Sequence, residues 1–259
     1  MQASRSVFSI SRSLVRAAAI ACGLFLLWQA IVTLADQPAF ILPAPARVLQ
    51  TLLARADFLL LHAATTAVEI VIGLALGAML GVACGVVASA VAWLRPLLSP
   101  ILVASQAIPV FAIAPLLVLW FGYGIGSKIA MATLIIFFPI AAATQDGLSR
   151  TPVAWLQTAR SLGLGPVQLL WRVRMPAALP AIGSGLKIAA AVAPIGAIIG
   201  EWVGASSGLG FVMIQANARM QTDLMFAALL VLAVLAITLH RLVSAGIDRA
   251  LYWQPDTTT

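Results

Sequence analysis

The sequence predicts an all-α, polytopic membrane protein with six transmembrane helices. Of its 259 residues, 62% are hydrophobic and only 9% are charged, whereas a soluble domain carries roughly 25% charged residues. Too few charges are present to cover a water-facing surface, so the soluble classes of protein are excluded. The apolar residues fall into six stretches. Each has about the length that a helix needs to cross a bilayer, which is about 20 residues. These predicted spans are 17–35, 65–91, 97–121, 127–144, 182–199 and 224–243.

The first predicted span, 17–35, also has features of a secretory signal peptide. It is preceded by basic residues, and residues 33–35 form a possible cleavage site with small side chains. Its apolar stretch is longer than that of a usual signal peptide and contains Trp28 and Gln29, which favours a retained helix. Cleavage would leave five spans, and the sequence leaves both interpretations open.

The second span carries a glycine at every fourth position. Residues spaced in this way share one face of a helix, and small residues there let a second helix approach closely. We therefore expect this face to pack against another helix inside a bundle. The glycines are Gly73, Gly77, Gly81 and Gly85.

Polar groups in or near the spans are the candidates for contact with a solute. Glu69 and Glu201 lie near the predicted outer ends of their helices, where solvation is easy, so we expect structural or interfacial roles for them ahead of substrate contact. The possible pathway residues, placed by helix position alone, are Gln106, Gln145, Glu201 and Asn217.

The distribution of basic residues predicts the orientation, because cytoplasmic loops are enriched in Lys and Arg. One side of the predicted membrane holds only Arg47, Arg55, Lys128 and Arg219. The other side, which we predict to be cytoplasmic, holds Arg5, Arg12, Arg16, Arg95, Arg150, Arg160, Arg172, Arg174, Lys187, Arg241 and Arg249. We therefore expect a cytoplasmic N-terminal segment 1–16, a transmembrane domain 17–246 with a cytoplasmic loop 147–180, and a cytoplasmic tail 247–259.

No pattern of catalytic or metal-ligating residues is present in the sequence. The two histidines, His62 and His240, lie at different membrane faces, and no Cys, His or carboxylate spacing is typical of a metal site. A phosphate-binding loop ends in Gly-Lys-Ser/Thr, whereas the two lysines, Lys128 and Lys187, follow serine and leucine. The net charge of +7 lies at the membrane edges and not on one soluble face, which argues against nucleic acid as a partner. We predict a protein that is not an enzyme and holds no metal or cofactor.

The most informative segment is the predicted cytoplasmic stretch 157–176. Its pattern predicts a short amphipathic helix, a turn at Gly163 and Gly165, and a second basic amphipathic stretch that starts at Pro166. Small residues at Thr158 and Ala159 suit a helix that buries one face in the groove of a partner. An ordinary surface helix lying on the membrane has the same pattern.

This stretch resembles the EAA loop of the permease subunits of binding-protein-dependent ABC importers. That motif reads Glu-Ala-Ala, three residues, Gly, nine residues, Ile, one residue, Leu-Pro. Gln157 and Thr158 depart from it, which removes one possible charged contact with an ATPase but keeps the helix and its turn. The resemblance implies a coupling loop that includes Gln157, Thr158, Ala159, Arg160, Gly163, Val173, Met175 and Pro176.

Further segments resemble the nitrate, sulfonate and taurine branch of these permeases, namely 41–45, 108–126, 204–210 and 221–223. Segments 193–202 and 216–220 look most like permeases for pyrimidine precursors of thiamine.

The resemblance implies a type I importer in the bacterial inner membrane, with both termini in the cytoplasm. Two permeases would form the pathway, two cytoplasmic ATPases would bind the ATP, and an external binding protein would deliver a small polar solute. The second permease is expected to be another copy of this chain, with a different permease chain as the alternative. The solute is expected to be a hydroxymethylpyrimidine precursor of thiamine, with sulfonate, taurine or nitrate as alternatives. A secondary transporter is the alternative of a different class, but such proteins usually carry charges along their path, and none lies near the middle of any predicted span.

Overall fold

A computed structural model describes residues 19–20, 22–34, 38–91, 100 and 109–253. These residues form helices and connections and contain no β-strand, so the all-α prediction is confirmed. The helices, numbered within the described residues, are α1 (Cys22–Leu34), α2 (Pro45–Ala54), α3 (Ala56–Ala90), α4 (Val110–Phe121), α5 (Ile125–Ser149), α6 (Val153–Ser161), α7 (Pro166–Gly204), α8 (Leu209–Ala218) and α9 (Thr222–Ala250).

Four of these helices are long and apolar enough to cross a membrane: α3, α5, α7 and α9. They correspond to the second, fourth, fifth and sixth predicted spans. The first and third spans are represented by the shorter helices α1 and α4, and most of the rest of those spans lies outside the described residues. The total of six spans therefore stays a prediction.

Two helices begin well before the spans predicted from hydropathy. Helix α3 begins at Ala56 and not at 65, and α7 begins at Pro166 and not at 182. Hydropathy detects the stretch of a helix that lies in lipid, whereas backbone hydrogen bonding continues into the polar flanks.

The chain divides into two compact units, and the smaller one combines the chain up to Leu59 with Val212–Leu230. Within it the hydroxyl of Thr51 on α2 donates a hydrogen bond of 2.8 Å to Asp223 Oδ2 at the start of α9. This bond ties two segments that are far apart in sequence.

The larger unit combines Leu60–Phe211 with the chain from Val231 onward. Its core forms where α3, α5 and α7 meet, and small alanines on α7 face branched side chains on α5. The fully or almost fully buried members of this core are Ile70, Ala132, Ile136, Ile140, Ala189, Ala193 and Ala197.

All four glycines of the stripe on α3 face α5. A Cβ atom built on Gly73 would lie 2.5 Å from Ala132 Cβ, and one built on Gly77 would lie 2.6 Å from Ile136 Cγ2. A Cβ atom on Gly85 would lie 2.6 Å from Thr144 Cβ, and one on Gly81 would lie 2.9 Å from the carbonyl oxygen of Phe137. Any side chain at these positions would push the two helices apart, so the stripe is the contact surface between α3 and α5.

A second set of glycines, on α7, also faces α5. A Cβ atom on Gly185 would lie 2.5 Å from Ala143 Cβ, and one on Gly196 would lie 2.7 Å from Ala132 Cα. Helix α5 is thus contacted by closely packed glycines from both α3 and α7. The wide spacing of the glycines on α7 gives no regular stripe in the sequence, which is why only the α3 stripe was recognised.

Candidate coupling loop

The predicted coupling loop folds as helix α6, a glycine turn and the first turns of α7. Helix α6 ends in a motif that uses a glycine just beyond the helix. The N–H of Gly163 donates to the carbonyl of Arg160 (2.9 Å), and the N–H of Leu164 donates to that of Ala159 (3.1 Å). Gly163 has a φ of +82°, a conformation that glycine adopts without strain.

Gly165 has a different role from Gly163. Its φ of −71° is ordinary extended backbone, and it stands immediately before the first residue of α7. Its N–H donates to the side-chain oxygen of Gln168 (3.3 Å). Pro166 then occupies the first helical position, where the missing N–H costs nothing.

The side chains of α6 divide into one buried residue and an exposed face. Ala159 is buried, whereas Gln157, Thr158 and Arg160 are exposed. The exposed side chains of the loop also include large apolar ones, namely Val153, Trp155 and Leu162. The small Ala159 lets α6 lie close to the rest of the unit, and most of the other side chains of α6 are exposed.

Helix α7 does not end at Pro176, although the sequence suggested a stretch that stops there. Residues Leu170–Arg174 form a π-helical turn, and the helix continues from Met175 to Gly204. A proline inside a regular α-helix clashes with the carbonyl four residues earlier. The wider π-helical turn directly before Pro176 accommodates the ring without ending the helix.

The loop residues Val173 and Pro176 meet Trp155 of α6 in one open groove, which is also lined by Arg150 and Arg172. Val173 and Met175 are half-buried, and Pro176 is exposed. The groove therefore brings Trp155, two residues before the motif, next to the second half of the motif across the glycine turn.

Arg174 joins this loop to the ends of two long helices. Its guanidinium donates to the carbonyl of Leu148 at the end of α5 (3.1 and 3.3 Å) and to that of Ser89 at the end of α3 (3.4 Å). Carbonyls in the last turn of a helix have no partner inside the helix and carry partial negative charge. Arg174 thus stabilises both helix ends and attaches them to the start of α7.

The predicted pathway residues do not form one cluster. Gln106 lies outside the described residues. Gln145 is half-buried near the Arg174 end of α5, and Asn217 is exposed on α8. Glu201 packs beside the other end of α5, because Gly200 contacts Lys128, and that end is about 25 Å from Gln145 along the helix axis.

The expectation that Glu69 and Glu201 are easily solvated is wrong. Their exposed fractions are 0% and 2%. Helix α3 begins nine residues earlier than predicted, so Glu69 lies well inside it and not near its outer end. For the same reason the statement that no charge lies near the middle of a span does not hold for α3.

Glu201 is held by hydrogen bonds from α3 and from the connection to α8. The hydroxyl of Thr66 donates to Glu201 Oε1 (2.6 Å), and the N–H of Gly210 donates to Oε2. The N–H of Leu209 donates to the Thr66 hydroxyl (2.9 Å). Gly208, with a φ of +109°, lies against the Glu201 carboxyl group, so a side chain there would be both strained and blocked.

Within the described residues, no three His, Cys, Asp or Glu side chains come close enough to hold a metal ion.

The four long apolar helices are typical of an integral membrane protein, and an exposed loop joins two of them. The chain matches the family "Binding-protein-dependent transport system inner membrane component" over residues 73–251, and it belongs to this family of ABC transporter permeases.

Several curated proteins are similar over most of their length. The chain is 53% identical to a probable ABC transporter permease of Haemophilus influenzae, over 84% of this chain and 89% of the relative. It is 44% identical to the riboflavin transport system permease RibX of Chloroflexus aurantiacus, over 84% and 82% of the two chains. It is 37% identical to the formylaminopyrimidine transport permease ThiX of Halalkalibacterium halodurans, over 83% and 86%.

The fold is similar to that of a solved structure that describes inward facing conformations of the MetNI methionine ABC transporter. The TM-score is 0.65 at 21% identity, over 74% of this chain and 96% of the MetNI chain. This match confirms the predicted type I permease fold.

Family membership makes this chain the membrane-spanning permease subunit of an ABC importer in the inner membrane. It is a transport subunit and not an enzyme, and it works with a separate ATPase and a solute-binding protein.

Proposed function

We propose that this permease receives the force of ATP hydrolysis through α6, which seats in a groove of the ATPase subunit. The exposed apolar side chains of the loop carry the proposal: Val153, Trp155 and Leu162 are 65%, 57% and 75% exposed. Several large apolar side chains exposed on one short segment are typical of a surface that a protein partner covers. The ATP is bound by the ATPase, and the permease itself binds none.

The connections of α6 explain how a pull on it reaches the pathway. The hydrogen-bonded turn at Gly163 joins α6 to α7 without a long flexible linker. Arg174 then ties the start of α7 to the ends of α3 and α5. A displacement of α6 therefore moves three long helices together, as the rigid-body switch between inward-facing and outward-facing states requires.

The proposed orientation puts this loop and both termini in the cytoplasm. It is supported by the eleven basic residues that the sequence places on the loop side against four on the other. We also propose that a second copy of the chain completes the pathway, because the resemblance to type I importers implies two permeases in each importer.

A variant of Trp155 tests the docking proposal. Trp155→Ser removes the largest exposed apolar side chain of α6, and we expect the ATPase to be lost when the tagged permease is purified. Met220→Ser is the matched control, because Met220 is 63% exposed but lies in the connection between α8 and α9. Full retention of the ATPase by Trp155→Ser would place the docking surface elsewhere.

We further propose that the solute contains a pyrimidine ring, as in the hydroxymethylpyrimidine precursors of thiamine. Support comes from the resemblance of segments 193–202 and 216–220 and from the similarity to ThiX and RibX. The transported compounds named for these relatives, a formylaminopyrimidine and riboflavin, share a pyrimidine ring, alone in the first and fused in the second.

Binding to the partner solute-binding protein tests the substrate class. Titration with hydroxymethylpyrimidine, formylaminopyrimidine, riboflavin, taurine, an alkanesulfonate and nitrate is expected to give saturable binding only for the compounds with a pyrimidine ring. ATP-dependent uptake of the same compound into proteoliposomes completes the test. Binding of taurine, sulfonate or nitrate alone would contradict the proposal.

A further inference from the structure

A buried polar cluster lies at the end of the long helices opposite the coupling loop. It contains Thr66 and Glu69 of α3, Lys128 of α5 and Glu201 of α7, and none of these residues is more than 3% exposed. Glu69 is about 30 Å along α3 from Ser89, where Arg174 binds. The cluster therefore has no part in the coupling loop.

Apart from Glu69, the groups that hydrogen-bond to Glu201 within the described residues all act as donors to it. The donors are the hydroxyl of Thr66 and the backbone N–H groups of Gly210 and Phe211. The Thr66 oxygen accepts the N–H of Leu209 (2.9 Å). Its one proton has two acceptors within reach, and it goes to Glu201 Oε1 at 2.6 Å in preference to the carbonyl of His62 at 3.2 Å. Glu201 is thus surrounded as an ionised carboxylate would be, because an ionised carboxylate only accepts.

Glu69 has the opposite surroundings. Among the described residues, neither of its carboxyl oxygens receives a hydrogen bond from a donor group. The group that it faces is the carboxyl of Glu201, and Lys128 is the nearby positive charge. Two ionised carboxylates would both be acceptors and would repel each other, and a buried polar group without a partner is unfavourable.

One proton on Glu69 resolves this conflict. A protonated carboxyl has an O–H donor, and a bond from that group to a carboxylate is among the strong hydrogen bonds. The charges then balance, since one carboxylate remains beside one Lys128 ammonium. The Lys128 Nζ is held in place by the carbonyls of Tyr123 and Gly124, each at 3.2 Å.

We propose that Glu69 and Glu201 form a proton-binding acid pair in which Glu69 carries the proton and donates it in a hydrogen bond to Glu201. The pair fastens the connection between α7 and α8 onto α3. Two further titratable groups lie near the pair, Lys128 on α5 and His62 on α3. His62 Nδ1 accepts the N–H of Gly208 at 2.9 Å. The segment 205–211 contributes only backbone N–H groups.

Infrared spectroscopy of the full-length chain in lipid at neutral pH tests this assignment directly. A protonated carboxylic acid has its own C=O stretching band, which shifts in heavy water. We expect this band in the wild-type protein and its loss in Glu69→Gln. Asp248→Asn, which removes an exposed acid on α9, is the control and must leave the band unchanged. Absence of the band from the wild-type protein, or its persistence in Glu69→Gln, would overturn the proposal.

The two glutamines have different expected effects on thermal stability. In Glu69→Gln the amide N–H₂ can replace the carboxyl O–H as a donor to Glu201, so the melting temperature should stay near that of the wild type. In Glu201→Gln the amide turns a donor toward Thr66 or Gly210, and the melting temperature should fall. An equal fall in melting temperature for both variants would mean that Glu69 and Glu201 both act as acceptors. The assignment of the proton to Glu69 would then be wrong.

Discussion

At the scale of single residues, two glycines in this structure do what no other residue can do equally well. Gly163 turns the chain at the end of α6 with a φ of +82°, and Gly208 lets the connection before α8 pass against the carboxyl of Glu201. Gly163 lies in the predicted coupling loop, and Gly208 lies beside the proposed acid pair. In each case the glycine contributes a backbone conformation that residues with a side chain rarely adopt.

Replacement of Gly163 by valine should uncouple transport from ATP hydrolysis. A left-handed conformation costs an L-residue about 1–2 kcal/mol, and more for a β-branched one, so the hydrogen-bonded turn after α6 should open. No atom lies within 4 Å of a Cβ at Gly163, so a clash would not be the cause. We expect the permease to reach the membrane and the ATP-dependent uptake rate in proteoliposomes to fall.

Gly165→Ala is the control for this prediction. Gly165 has equally open space around it but a φ of −71°, which alanine adopts readily. Its uptake should equal that of the wild type. A Gly163→Val variant with normal uptake would mean that the turn does not transmit the movement of the ATPase.

At the scale of helices, the glycine stripe on α3 should be sensitive to a single methyl group. In Gly77→Ala the new Cβ would lie 2.6 Å from Ile136 Cγ2 and 2.8 Å from Ile136 Cβ. Overpacking of this kind costs about 1–3 kcal/mol, so the melting temperature in detergent should fall.

Gly246→Ala on α9 separates packing from helix propensity. A Cβ at Gly246 meets nothing within 4 Å, and alanine is favoured over glycine in a helix by about 1 kcal/mol. The same substitution should therefore raise or preserve the melting temperature on α9 and lower it on α3. A fall for both variants would show that the stripe has no special packing role.

The helices illustrate what sequence patterns can and cannot predict. Regular signals were sufficient for the α3 stripe, whose glycines recur every four residues, and for Pro166 at the start of α7. Hydropathy underestimated α3 because its first nine residues include Asp57 and His62, and this error placed Glu69 near solvent. The partnership of Glu69 with Glu201 joins residues 132 positions apart, and such long-range pairing leaves no local pattern.

The predicted coupling loop has a local pattern that the structure reproduces. Its motif combines local turn chemistry at Gly163 with a helix start at Pro166, and local chemistry is what a short pattern records. The role of Arg174 was not predicted, since its acceptors are backbone carbonyls of Leu148 and Ser89, which any residue type supplies. The π-helical turn before Pro176 likewise depends on the ring of one proline and not on a periodic pattern.

At the scale of the whole molecule, the charge asymmetry makes a prediction about orientation that cysteine labelling can check. The natural thiols are Cys22 and Cys84, and a background with both replaced by serine leaves no thiol to react. Thr158→Cys on α6 and Asn217→Cys on α8 then introduce thiols at exposed positions of known structure.

If basic residues face the cytoplasm, a maleimide that does not cross membranes should label Asn217→Cys in intact spheroplasts and Thr158→Cys only after the membrane is opened. The permease is expressed without its ATPase, so that α6 is not covered. Labelling of Thr158→Cys from outside would reverse the orientation, and the exposed apolar side chains Val153, Trp155 and Leu162 would then face the solute-binding protein and not the ATPase.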